Sequence, residues 1–226
     1  MSGNPVEALD GVAREKLQVV LTLLAEERAS VSSVVDERAW RVHVADSLTG
    51  LDVPELRAAG RIADVGAGAG FPGLVLAVAL PNAEVDLIES VGRKCDFMRN
   101  AIAAAGISDA AVRNARSEEL AAGEGREAYD VATARAVGRL STLAELASPL
   151  LKPNGVLIAW KGKRDSEEER QLEQASRMLA MRPEAILDVG DRAGSEHRHL
   201  HVIRKVGSTP ADLPRRPGMA KKRPRG

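Results

Sequence analysis

Ten residues, "DVGAGAGFPG", carry the densest chemical signal in the chain. They run from Asp64 to Gly73 and hold four glycines directly after a short apolar run. Glycine is entropically costly in a folded loop, and the usual return is a backbone that something else approaches closely. Gly66, Gly68 and Gly70 make G-x-G-x-G. A dinucleotide fingerprint would place its last glycine at position 71, which is Phe71. No G-K-[ST] follows, so this is not a phosphate-cradling P-loop. Two carboxylates flank the loop in sequence. Asp64 precedes the first glycine, and Glu89 closes the next apolar run, where an acid can accept hydrogen bonds from a ribose diol. Taken alone, such an acid is common to nicotinamide and S-adenosylmethionine proteins.

The elements that must position these residues read as alternating strands and helices. "RIADV" leads into the glycine loop and "PGLVLAVAL", with Pro72 expected in the first helical turn. "EVDLIE" precedes "GRKCDFMRNAIAAAG", "AAVRNA" precedes "SEELAAG", "YDVATA" precedes "GRLSTLAELASPLL", and "GVLIAWKG" precedes "SEEERQLEQASRMLA". "EAILDVG" and "HLHVIRK" follow with no helix between them, which predicts a hairpin and an antiparallel last strand. Five strand–helix alternations imply an α/β fold, a mostly parallel seven-stranded sheet with helices on both faces. Ahead of it, Val12, Leu17, Val20, Leu21 and Leu24 recur at helical spacing, and "DERAWRVHVADSLTGL" predicts a second short helix. The expected organisation is an N-terminal helical segment (1–58), a catalytic-type domain (59–206) and a basic tail (207–226).

This ensemble of alternating strands, D-x-G-x-G-x-G, Glu89 and final hairpin resembles the Rossmann-like class I S-adenosylmethionine-dependent methyltransferases. Acceptor chemistry is then narrowed by what is missing. A C5-pyrimidine enzyme needs a thiolate near the fourth or sixth strand end, but the single cysteine, Cys95, lies on the helix after the second strand. Enzymes acting on exocyclic amines carry [DN]-P-P-[YFW] after the fourth strand, where this chain reads "TARAVGRL". An acceptor with an available lone pair, such as guanine N7, needs neither device, although elimination alone does not select it.

Six segments in order, "RVHVADSL", "IADVGAGAGFPGLVLAV", "ARSEE", "TARAVGRL", "LIAWKG" and "RHLHVIRK", resemble the RsmG (GidB) family of 16S rRNA guanine-N7 methyltransferases. The resemblance spans about Arg41 to Lys205. It implies S-adenosyl-L-methionine as cofactor and a guanine in the decoding-region loop of small-subunit rRNA as acceptor. It also implies cofactor contacts from Asp64, Gly66, Gly68, Gly70 and Phe71, from Glu89 to the ribose, and from Ser117 and Glu118 beside the adenine. Arg135 falls at the junction of cofactor and substrate. Lys161, by its place at the end of the fifth strand, reads either as an ordinary exposed lysine or as a phosphate or base contact that positions substrate. The segment "ERASVSSVV" departs from the family pattern. A class I methyltransferase acting on a small molecule is the alternative reading; a nicotinamide oxidoreductase and a non-catalytic binding protein are more distant ones.

Arg135 and Arg139, four apart, suggest a helix start, where cations oppose the dipole and an anionic partner is therefore expected. With Lys161, Arg198, Arg215, Arg216, Lys221, Lys222 and Arg223 they form the candidate RNA contacts. His43 and Asp46, a helix-spaced pair, either shape the acceptor pocket or support the fold. His197, His199 and His201 alternate without a thiol or carboxylate pattern, so no metal is expected.

Composition sets the frame. Of 226 residues, 44% are hydrophobic and only 2% aromatic, which argues against recognition by base stacking on exposed rings. One cysteine excludes a disulfide framework and suits a reducing compartment. No apolar stretch is long enough for a bilayer, so a cytoplasmic, monomeric protein is expected. The formal net charge of zero conceals asymmetry: residues 207–226 carry +5 and the remainder −5. The tail's composition predicts disorder. It is expected either to solubilise the chain or to follow RNA phosphates, with no effect on cofactor affinity.

Overall fold

The computed structural model describes residues 5–27, 38–193 and 197–225; residues 28–35 of the divergent "ERASVSSVV" segment lie outside these. Helix α1 (Gly11–Glu26) begins where the Asp10 side chain accepts the Ala13 N–H. It buries Leu17, Val20, Leu21 and Leu24, whereas Val12, expected on the same face, is 63% exposed. A π-helical turn (Trp40–Ala45) runs into the single turn α2 (Asp46–Leu48), followed by α3 (Pro54–Arg57).

The sheet follows in chain order as β1 (Arg61–Val65), α4 (Gly73–Ala79), β2 (Glu84–Glu89), α5 (Gly92–Ala105), β3 (Ala110–Asn114) and α6 (Ser117–Ala121). It continues with β4 (Tyr129–Arg135), α7 (Leu140–Ala147), β5 (Leu151–Lys161), α8 (Ser166–Leu179), β6 (Met181–Asp188) and β7 (His199–Lys205). A last turn of helix, α9 (Met219–Lys222), lies in the tail. Seven strands pair in the order β3-β2-β1-β4-β5-β7-β6. All neighbours are parallel except β7, which is antiparallel to both β5 and β6. The expected seven-stranded sheet and hairpin are present, with β6 starting three residues earlier than "EAILDVG" suggested.

Strand side chains alternate between two apolar layers, as period 2 demands when both faces are covered. On β5, Val156, Ile158 and Trp160 join the layer under α1, α4 and α5. Leu157 and Ala159 join the layer under α7 and α8. Trp160 does more than fill space. Its indole N–H donates to the Asp46 carbonyl at 2.9 Å, and its ring packs against Gly50 so closely that a Cβ there would lie 2.5 Å from it. The N-terminal segment is thereby fixed to the carboxyl end of the sheet.

Candidate active site

Chain order reverses between β1 and β4, and the carboxyl ends of strands at such a point are where open α/β sheets bind ligands. The glycine loop leaves β1 there. Gly68 takes φ +62°, and a Cβ built on it would meet nothing nearer than 3.8 Å, so the loop face above it is open. Its N–H donates to the Glu89 carboxylate at 3.1 Å, while the other Glu89 oxygen accepts the Val91 N–H at 2.9 Å. Glu89 thus couples the tip of β2 to the loop. Gly73 serves packing instead. A Cβ there would lie 2.1 Å from Leu87 and 2.7 Å from the Asp64 carboxylate.

Asp64 faces inward. It is 1% exposed, and its two oxygens accept from the Gly73 N–H and the Thr133 hydroxyl, each at 2.9 Å. Burial pushes its carboxyl up to about 6, against the opposing pull of those two hydrogen bonds. The sequence expectation made Asp64 a direct cofactor contact; both of its oxygens are engaged within the protein. Asp64 pins β1, β4 and the start of α4, and it does not line the cavity. Pro72 caps α4 and does not enter its first turn.

That cavity, of ≈ 440 Å³, opens beside the loop. Gly66, Glu89, Ser117 and Glu118 line it together with Ala136, Val137 and Thr142. The Ser117 hydroxyl donates to Glu118 at 3.3 Å. Gly68, Gly70, Phe71 and Arg135 are not among its lining residues; Gly70 and Phe71 are buried behind the loop.

A second cluster stands on Phe71. The His43 ring stacks on it with centroids 4.4 Å apart, and the Arg135 guanidinium lies 5.7 Å from its centroid. Arg135 donates to the Val42 carbonyl at 3.0 Å, to Asp46 at 2.9 Å and to His43 Nδ1 at 3.2 Å. A guanidinium only donates, so Nδ1 is the acceptor in the last contact. Asp46 is completely buried, and its other oxygen receives Arg198 at 2.7 Å. One buried carboxylate therefore holds two arginines, and the cluster retains a net positive charge.

The helix-start reading holds for Arg139 and is corrected for Arg135. Arg135 ends β4, Ala136 then takes φ +58°, and Arg139 stands at the N-cap of α7, donating to Gln171 at 3.0 Å. Lys161 is engaged as well, with Glu168 at 2.7 Å and the Gly138 carbonyl at 2.9 Å. Glu168 also accepts the Leu140 N–H at 2.8 Å, so this ion pair braces the β4–α7 connection.

The tail departs most from expectation. Residues 207–225 are seated on the domain, with Leu213 and Ala220 each 2% exposed. Arg215 makes a bidentate pair with the buried Glu145, both contacts at 2.6 Å. Thr209 and the buried Lys205 both bond Glu127, whose carboxyl is held down to about 2, chiefly by Lys205. Arg215 is thus committed within the protein, whereas Arg216, Lys221, Lys222 and Arg223 are exposed. Composition missed this docking because its partners, Glu127, Glu145 and Glu118, lie far from the tail in sequence.

A Rossmann-like sheet with this strand order, an open glycine loop after β1 and an acid ending β2 defines the class I S-adenosylmethionine-dependent methyltransferase architecture. The sheet aligns with a SAM-dependent methyltransferase from Aquifex aeolicus (TM-score 0.55, 16% identity, 76% of this chain and 94% of that one). It aligns also with a fibrillarin pre-rRNA processing protein from Methanococcus jannaschii (TM-score 0.57, 17% identity, 73% and 74%). These establish the fold. The family follows from sequence: residues 15–200 match the GidB model, rRNA small subunit methyltransferase G. The chain is 42% identical to ribosomal RNA small subunit methyltransferase G of Rubrobacter xylanophilus, over 94% of this chain and 85% of that protein. It is 38% identical to the same-named protein of Pelotomaculum thermopropionicum, over 90% and 87%. The chain belongs to the GidB family and is an S-adenosylmethionine-dependent methyltransferase.

Proposed function

We propose that the protein methylates N7 of a guanine in the decoding-region loop of 16S rRNA, acting in the cytoplasm as a single chain on the RNA or the small subunit. The observation that carries this reading is the adjacency of two features through Phe71: a glycine-loop site suited to the cofactor, and a cationic cluster of Arg135 and Arg198 organised by Asp46.

The residues fit S-adenosylmethionine. Gly68 leaves room above the loop, Glu89 presents a carboxylate to a ribose diol, and Ser117 and Glu118 offer polar atoms to an adenine. When bound, the cofactor supplies an electrophilic methyl group on a sulfonium. Guanine N7 has an in-plane lone pair and no proton to lose. The N7–methyl bond forms as the methyl–sulfur bond breaks, and that electron pair stays on sulfur. Positioning is then what the chain contributes. Its one thiol fits this reading, because Cys95 is 0% exposed and donates to the Glu89 carbonyl at 3.2 Å. Positive charge passes to the base, so a cation behind N7 would oppose reaction. Arg135, with Lys161 further along the same edge, is assigned to O6 or phosphates.

The test is RNA carrying 7-deazaguanine at the target position. Binding without methylation is expected, because only the nucleophilic nitrogen is replaced by carbon. Methyl transfer to that analogue would refute N7 as the acceptor.

A further inference from the structure

The C-terminal tail crosses the mouth of the cavity. Gly218 donates its N–H to Glu118 at 2.8 Å, on the α6 wall. Arg215 grips Glu145 on α7, the helix whose Thr142 and Leu146 form the facing wall. From the second anchor onward, Gly218, Ala220, Lys221 and Lys222 line the cavity itself. Leu213 is buried behind them, and its carbonyl accepts from Arg126 at 3.1 Å.

We infer that residues 213–222 are a strap completing the adenine end of the cofactor site, so that strap docking and S-adenosylmethionine binding favour each other. This rests on the assignment of Ser117 and Glu118 to the adenine. The strap narrows the site without filling it: with the strap in place the cavity keeps ≈ 440 Å³, within the roughly 300–1,000 Å³ of small-molecule sites. Glu118 is the shared element. One of its oxygens receives Gly218, and a carboxylate has further lone pairs for a ligand amine. Because coupling is reciprocal, a strap that raises cofactor affinity must itself be held more firmly once the cofactor is bound. The earlier expectation that the tail leaves cofactor affinity untouched is thereby replaced.

Two measurements on the full chain test this. Calorimetry compares S-adenosylmethionine binding by the wild type, by the double variant Arg215→Gln/Glu145→Gln, which orphans no buried charge, and by Gly218→Val, where φ is +80°. Affinity is expected to fall roughly fivefold or more in both variants. The second measurement needs no variant: S-adenosylmethionine should slow tryptic cleavage after Lys221 and Lys222 of the wild type. Equal cleavage rates with and without cofactor overturn the coupling, as do unchanged or tighter affinities in the variants. A wild-type chain that binds no S-adenosylmethionine overturns the cofactor-site reading as well as the strap.

Discussion

Asp46 and Arg135 are 89 residues apart in the chain and 2.9 Å apart in the structure. Their contact joins the N-terminal segment to the end of β4, and Arg198 closes on the same carboxylate from the start of β7. Three parts of the sequence thus meet on one fully buried anion. Removing one member of a buried pair is costly because the others are left uncompensated. Asp46→Ala should lower unfolding stability by about 3 kcal/mol or more in denaturant titration. A loss within experimental error would show that solvent stabilises both guanidinia unaided.

Arg135 makes three directed contacts, and an ammonium on a flexible stem cannot reproduce that fork. Arg135→Lys should therefore keep most RNA affinity, since phosphate contacts are many, yet lose at least about tenfold in turnover through misalignment. Single-turnover rates measured beside filter-binding affinities separate the two effects. Equal losses in both would make Arg135 a simple RNA anchor.

The glycine loop gives a prediction about space. Gly68 combines φ +62° with an open face, so a side chain there both strains the backbone and enters the region assigned to the cofactor. Gly68→Val should abolish detectable S-adenosylmethionine binding in calorimetry while circular dichroism retains the α/β signature. Wild-type affinity in that variant would assign the open face to something else.

Asp64 predicts a pH dependence with a definite sign. Its carboxyl is at about 6 in the folded protein against 3.8 for the ordinary group. Below 3.8 both folded and unfolded chains are protonated there, and the site is neutral in its effect. As pH rises from 3.8 to 6 the unfolded chain ionises first, so this residue's contribution to stability falls, by up to about 3 kcal/mol at neutral pH. Asp64→Asn keeps an acceptor for the Gly73 N–H and cannot ionise. Relative to wild type, it should gain stability from about pH 4 to about pH 6 and level off above that in urea titrations. A difference that stays flat with pH would mean that Asp64 ionises in the fold at its ordinary pKa.

Much of this architecture was legible because local signals agree with the tertiary result. β5 reads as a strand from "GVLIAWKG" and alternates cleanly between two covered faces, and Glu89 ends β2 where the pattern placed it. The cavity gathers Gly66, Glu89, Ser117 and Glu118 because each follows a parallel strand and so must emerge at the same edge. What stayed hidden depends on long-range partners. Nothing near Asp64 in sequence announces that Thr133 donates its hydroxyl to it from a neighbouring strand. The spacing of Arg135 and Arg139 put both at a helix start, but the left-handed residue Ala136 leaves only Arg139 there and Arg135 on the strand. The tail reads as solvent-seeking until Glu145, 70 positions earlier, is found buried and waiting for Arg215.

That pairing divides the tail's cations into two kinds and gives the last prediction. Arg215 is neutralised by Glu145 inside the fold, so it releases no counterions when RNA binds. Arg216 and Arg223 are exposed on the same segment, beside the exposed Lys221 and Lys222. Each cation that neutralises a phosphate contributes roughly −0.7 to −0.9 to the slope of log affinity against log salt. Substituting Arg216 and Arg223 together by alanine should flatten that slope by about 1.4 to 1.8 if both meet phosphates. The double variant Arg215→Gln/Glu145→Gln changes no net charge on the strap and its partner taken together, and any effect on the slope must come from displacing the segment. The slope is measured by RNA binding between low and moderate salt at saturating S-adenosylmethionine, which holds the strap in place. An unchanged slope in that variant would remove Arg216 and Arg223 from the RNA interface.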